Sequence, residues 1–154
     1  MIADGGTARM HRRLIDSLYT ESMLLADEAR GYFDEVGRNE RETLDAMTRV
    51  MFSCESLKVT TRLMHVIAWL LTQRAVAAGE LPARDALDPS RRLGNASRTD
   101  KASLEAMPPA ARNLILASID LYRRVERLDA TQSEEAPVVV SPARTMLDRL
   151  AHAF

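Results

Sequence analysis

The chain has 154 residues, 46% of them hydrophobic and 28% charged, with a formal net charge of −1. That balance fits one globular domain and leaves no global field to hold nucleic acid or an anionic membrane surface. A single cysteine excludes an internal disulfide and a Cys-based structural zinc site, and an aromatic content of 5% favours an all-α fold. No apolar run reaches the roughly 20 residues needed to span a bilayer. The polar N-terminus carries no signal-peptide pattern, so a cytoplasmic location is expected.

Residues 1–6 read as a frayed start, with Thr7 as N-cap. The spacing predicts a first helix over 8–36, with Leu14, Leu18, Leu25, Ala29, Tyr32 and Val36 on one face. Ile15, Ala26 and Phe33 widen that face. Gly37 reads as a C′ stop, and the short connection 37–40 predicts an antiparallel return. A second helix is expected over about 41–78, ended by Gly79 and followed by Pro82. It would be about 55 Å long. Its main stripe is Met47, Val50, Cys54, Leu57, Thr61, Met64, Ala68, Leu71, Ala75 and Ala78, whose 3–4 spacing predicts that it faces a partner helix.

Residues 79–107 read as a long loop punctuated by Pro82, Pro89, Gly94 and Asn95, with one helical turn near 101–106. Pro108 and Pro109 open a third helix to about Leu128, with Ala111, Leu114, Ser118, Leu121, Val125 and Leu128 on one face, flanked by Ile115 and Tyr122. After an acidic stretch, Ser141 and Pro142 start a short last helix. The expected organisation is an all-α antiparallel three-helix bundle over 1–129 and a flexible C-terminal tail over 130–154.

Catalytic patterns are scarce. There is no Glu-x-x-His pair, no His-Glu-x-x-His and no Gly-rich phosphate loop. Cys54 and His65 lie eleven residues apart on one helix, about 16 Å, too far for a nucleophile–base pair. Glu21 and Glu28 could do acid–base work only across a cleft. With pairing centred on residue 39, Glu21 would instead face Lys58, Glu28 would face Arg49 and Asp16 would face Arg62. Arg9, Arg12 and Arg13 read as a solvated basic face. The chain reads as no enzyme, with no cofactor and no metal. A ligand-binding bundle using Glu21, Glu28 and His65 is the competing chemistry.

The second helix carries a second stripe opposite the first: Phe52, Val59, Leu63, Val66 and Leu70, with Ala77 at its end. A three-helix bundle needs one broad apolar face per helix, so this strip is predicted to lie outside and form a homodimer interface, with Trp69 beside it as an anchor. The alternative is that loop 79–107 folds back over it. In the tail, Val138, Val139, Val140, Met146, Leu147, Leu150 and Phe154 are the candidate partner-binding residues, which would either dock on the bundle or stay free for helix-in-groove or strand-addition contact.

The run Cys54-Glu55-Ser56-Leu57-Lys58-Val59-Thr60-Thr61-Arg62-Leu63-Met64, then Ala68-Trp69-Leu70-Leu71 and Gln73-Arg74-Ala75-Val76, resembles the signature of the regulator-of-CtrA-degradation family. So do Leu18-Tyr19-Thr20-Glu21-Ser22-Met23-Leu24-Leu25 and Leu121-Tyr122-Arg123-Arg124-Val125-Glu126-Arg127-Leu128-Asp129. The resemblance covers roughly 14–129. It implies a dimeric three-helix bundle without catalytic residues, in an alphaproteobacterial cytosol. It further implies an adaptor that helps deliver cell-cycle regulators to the ClpXP protease beside a response-regulator co-adaptor. A homodimeric scaffold with no role in proteolysis is the alternative.

Overall fold

A computed structural model describes residues 2–135 and 142–153. The regular structure among them is all helical: α1 (Ile2–Gly31), a π-helical segment (Tyr32–Val36), α2 (Gly37–Glu42), α3 (Ala46–Ala77), two 3-10 turns (Asp85–Leu87 and Pro89–Arg91), α4 (Lys101–Ala106), α5 (Pro109–Glu135) and α6 (Pro142–Ala153). Helices α1, α3 and α5 enclose one hydrophobic core. Val138, Val139, Val140 and Phe154 lie outside the described residues.

Gly37 does not stop the first helix. Its φ is −63°, and the chain runs on through one π turn and α2 to a short bend before Asp45. Glycine is needed there for packing. A Cβ would lie 2.8 Å from the Tyr32 carbonyl oxygen and 3.3 Å from the Phe52 ring. The π turn adds a residue to the helix and brings Tyr32 and Phe33 together onto Phe52, with Phe33 and Phe52 centroids 5.5 Å apart edge-on. Asp45 caps α3, accepting from the Thr48 N–H at 2.7 Å. The α3 start therefore falls at Ala46, not near Arg41. Its end agrees with expectation: Gly79 takes φ 77°, and the Glu80 N–H returns to the Ala75 carbonyl at 2.9 Å.

Moving the bend changes the register of α1 on α3. Arg74 pairs with Asp16 at 3.4 Å and lies 4.5 Å from the Tyr19 ring centre, while Arg12 reaches the Ala77 carbonyl. The hairpin thus turns near residue 45 rather than 39, and the expected pairs Glu21–Lys58, Glu28–Arg49 and Asp16–Arg62 do not form. Glu21 binds Arg124 of α5 instead.

Helices α3 and α5 run parallel. Arg62 meets Ser118, Trp69 meets Asp129 and Gln73 meets Gln132, so both numbers rise together. Antiparallel contacts are made by α1 with each of them. A parallel pair needs a connection that travels back the length of a helix, and residues 78–108 supply it. The helical turn expected at 101–106 and the α5 start at the proline pair agree with the structure. The α5 face also agrees, with Ala111, Leu114, Ser118, Leu121 and Val125 buried, but the helix continues past Leu128 to Glu135.

The two stripes of α3 are exchanged relative to expectation. Phe52, Val59, Leu63, Val66 and Leu70, assigned to an outward dimer strip, are 0–4% exposed in the core. Trp69, assigned to the interface, is equally buried. The core seam is Phe52, Glu55, Val59, Arg62, Val66, Trp69 and Gln73, also at unbroken 3–4 spacing. Three of its members are polar, so the other stripe looks more apolar on paper. That other stripe faces away from the core.

Candidate protein-interaction surface

Two features stand out: a strap pinned by buried polar groups, and an apolar seam left exposed among the described residues. The strap is the extended run of residues 92–100, which returns along α3 and α5. At its start, Arg92 grips both oxygens of Asp129, Nε to Oδ1 at 2.8 Å and Nη2 to Oδ2 at 2.9 Å. The Trp69 indole N–H donates to the same Oδ1 at 3.0 Å, and Arg92 also reaches Ser133. This fork holds the Arg92 proton more tightly than usual, against the opposing pull of burial.

At the middle, the Tyr122 hydroxyl donates to the Gly94 carbonyl at 2.6 Å. Gly94 lies flat on His65, where an added Cβ would fall 2.4 Å from Nδ1. At the end, the Arg62 guanidinium donates to the Ser97 carbonyl at 3.0 Å, to Thr99 Oγ1 at 2.6 Å and to Ser118 Oγ at 3.3 Å. Thr99 in turn donates to Glu55 at 2.6 Å, and Lys58 bridges Glu55 and the Arg98 carbonyl. Burial lowers the Arg62 pKa, and the Glu55 charge opposes that shift. Glu55 and Arg62 are each at most 3% exposed. Their bonds go to the protein itself, so the cluster positions the strap rather than offering reactive groups to solution.

The seam lies on the opposite side of α3. Met47 is 73% exposed, Val50 60%, Leu57 68%, Met64 65% and Leu71 47%. Cys54, Thr61 and Ala68 are exposed between them. Val50, Leu57, Met64 and Leu71 repeat every seven residues, and Cys54, Thr61, Ala68 and Ala75 repeat every seven alongside. This is a heptad pattern in which large and small side chains alternate. A helix laid on it could set bulky knobs into the holes above Thr61, Ala68 and Ala75. The seam adjoins an apolar groove of about 280 Å³ between α1 and α3, bordered by Ala26, Phe33, Val59, Met64 and Ile67.

The remaining predicted residues are scattered. His65 is half-buried under the strap, while Cys54 sits on the outer seam. Glu21 is engaged by Arg124, and Glu28 is exposed elsewhere on α1. Nothing brings Glu21, Glu28 and His65 together. In the tail, Met146, Leu147 and Leu150 are 69%, 65% and 54% exposed on α6. Sequence reasoning missed Asp129, Arg92, Glu55 and Arg62. The available signal was Trp69 and Phe52 sharing one unbroken stripe with Glu55 and Arg62.

Among the described residues no helix is long and apolar enough to cross a membrane. A family model described as a protein of unknown function, DUF1465, matches residues 6–154. The chain is similar to a solved structure, RcdA from Caulobacter crescentus CB15, with 34% identity and a TM-score of 0.66. That similarity covers 80% of this chain and 93% of the other. No curated protein matches.

Proposed function

The chain belongs to the RcdA family, and from that premise we propose that it is a non-enzymatic, cytoplasmic adaptor that helps deliver cell-cycle regulators to the ClpXP protease. The observation that carries this reading is the exposed heptad seam on α3, set beside polar residues that are spent on internal bonds. A surface of that kind binds helices and does no bond chemistry. Delivery by an adaptor then works by effective concentration: holding client and protease together raises their encounter rate without a new reaction. A response-regulator co-adaptor and the tail residues Val138, Val139, Val140, Met146, Leu147, Leu150 and Phe154 complete the proposed set of contacts.

Self-association belongs to the same reading, on the corrected residues. Two α3 helices related by a twofold axis can pack the large layer of one copy against the small layer of the other, so the seam is self-complementary. Sedimentation of Met64→Glu tests this: the wild type should weigh as a dimer at micromolar concentration and the variant as a single chain. A wild type that stays single at every concentration would remove the dimer.

Degradation of candidate clients by ClpXP, with and without the protein, tests the adaptor role. Faster client loss that depends on the protein supports it. Unchanged client lifetimes would leave the homodimeric scaffold, which the self-complementary seam favours as the second reading.

A further inference from the structure

We propose that α6 docks on this chain's own α3 seam, across Leu71, Ala68 and Met64, and so masks it from a second copy or another helix. Three observations carry the proposal, which uses the seam of the preceding section but not its concentration dependence.

The first is position. Gln132 bonds Gln73 at 2.8 Å, so the end of α5 lies beside the C-terminal end of α3. Only residues 136–141 separate Glu135 from Pro142. Seven peptide steps span at most about 24 Å. The step from α5 to a helix packed on the outer side of α3 is about 16–20 Å, two interaxial distances. The upper seam is therefore within reach, and the Met47 end is not.

The second is size. Helix α6 has 12 residues and is about 18 Å long. The stretch from Leu71 to Thr61 is about 15 Å on the same scale. The two match, with α6 running antiparallel to α3.

The third is shape. Met146, Leu147 and Leu150 form a bulky exposed edge on α6, and the upper seam carries small side chains, Ala68 between Met64 and Leu71 and Ala75 one turn beyond Leu71. Large knobs thus face small holes, as interdigitated helices require. A short tether places α6 at an effective concentration of order millimolar, so even a submillimolar contact is populated severalfold over the open state.

The test uses the full chain with one reporting thiol. Cys54→Ser with Ala68→Cys places it in the middle of the docking stretch, where the side chain is exposed. The rate of its reaction with an aromatic disulfide reagent is compared with that of the same chain carrying Leu147→Glu and Leu150→Glu. Tail docking predicts reaction about threefold slower in the parent, unchanged over a hundredfold dilution. A thiol at Leu24→Cys, exposed on α1, should react equally in both backgrounds. Equal rates at Ala68→Cys overturn the proposal. A difference that disappears on dilution also overturns it, by assigning the protection to a second copy. If protection persists at concentrations where Met64→Glu and the parent both sediment as single chains, docking in cis stands even though self-association fails.

Discussion

Replacing Asp129 with alanine should loosen the strap and lower stability by about 1.5–4 kcal/mol. The carboxylate accepts from the buried Trp69 indole and from both arms of Arg92. Leaving the indole N–H unpaired in a site 2% exposed costs about 1–3 kcal/mol. The Arg92 side chain is 32% exposed, so losing its fork adds only about 0.5–1 kcal/mol after solvent screening. Asp129→Asn keeps an oxygen for Trp69 and loses the charge, and should cost about 1 kcal/mol. Urea unfolding measures these changes, and the single tryptophan supplies the signal. The alanine variant should melt about 5–12 °C lower. Its strap should be nicked faster by protease between residues 92 and 100. An alanine variant within about 0.5 kcal/mol of wild type, with unchanged tryptophan emission, would refute the assignment of Asp129 as the anchor of the strap.

Gly94→Val should force the strap off His65, because the first added carbon already meets the imidazole; faster proteolysis of residues 92–100 with the helical circular dichroism retained would verify this. Leu63→Ala should cost about 2–5 kcal/mol in urea unfolding, whereas Leu57→Ala on the outer seam should stay within about 0.5 kcal/mol. A larger cost at Leu57 than at Leu63 would mean that the two stripes are placed the wrong way round, and equal costs would contradict the assignment. Asp45 and Asp100 accept cap hydrogen bonds from Thr48 and Ser103, which hold their pKa values below the ordinary 3.8. A lowered folded pKa stabilises the protein above the unfolded value and loses that contribution as the pH falls through the folded one. The double variant Asp45→Asn, Asp100→Asn keeps uncharged caps, so its stability should fall less steeply than that of wild type below pH 3.8. Parallel acid curves would contradict the capping assignment.

Much of the fold is written in local signals. Gly79 ends α3 because a residue with positive φ is needed there, and the proline pair opens α5 because its first turn needs no N–H donor. Gly37 carries the same letter as Gly79, yet it lies inside a continuing helix, where a Cβ would crowd the Tyr32 carbonyl and the Phe52 and Tyr32 rings. Pro82, three residues on, marks Gly79 as a stop, and no proline follows Gly37 at that distance. The register error followed from that one position, since a bend moved from residue 39 to 45 re-pairs the charges along α1 and α3. The candidate site shows the same division. That α3 is apolar on two sides was legible.

The amino-acid sequence alone determined that this is a helical bundle whose longest helix has more greasy surface than one subunit's core can take. Only the tertiary structure decided which side points inward. The inner stripe holds Glu55, Arg62 and Gln73, which a pattern of apolar spacing scores as outward. They are tolerable inside because other residues meet them: Thr99, the Ser97 carbonyl and the neighbouring Lys58 for the charged pair, and Gln132 for the amide oxygen of Gln73, whose Nε2 has no hydrogen-bond partner among the described residues. Burial of a polar group is decided by whether a partner reaches it, and a partner 35 to 59 residues away is visible only once the chain has folded.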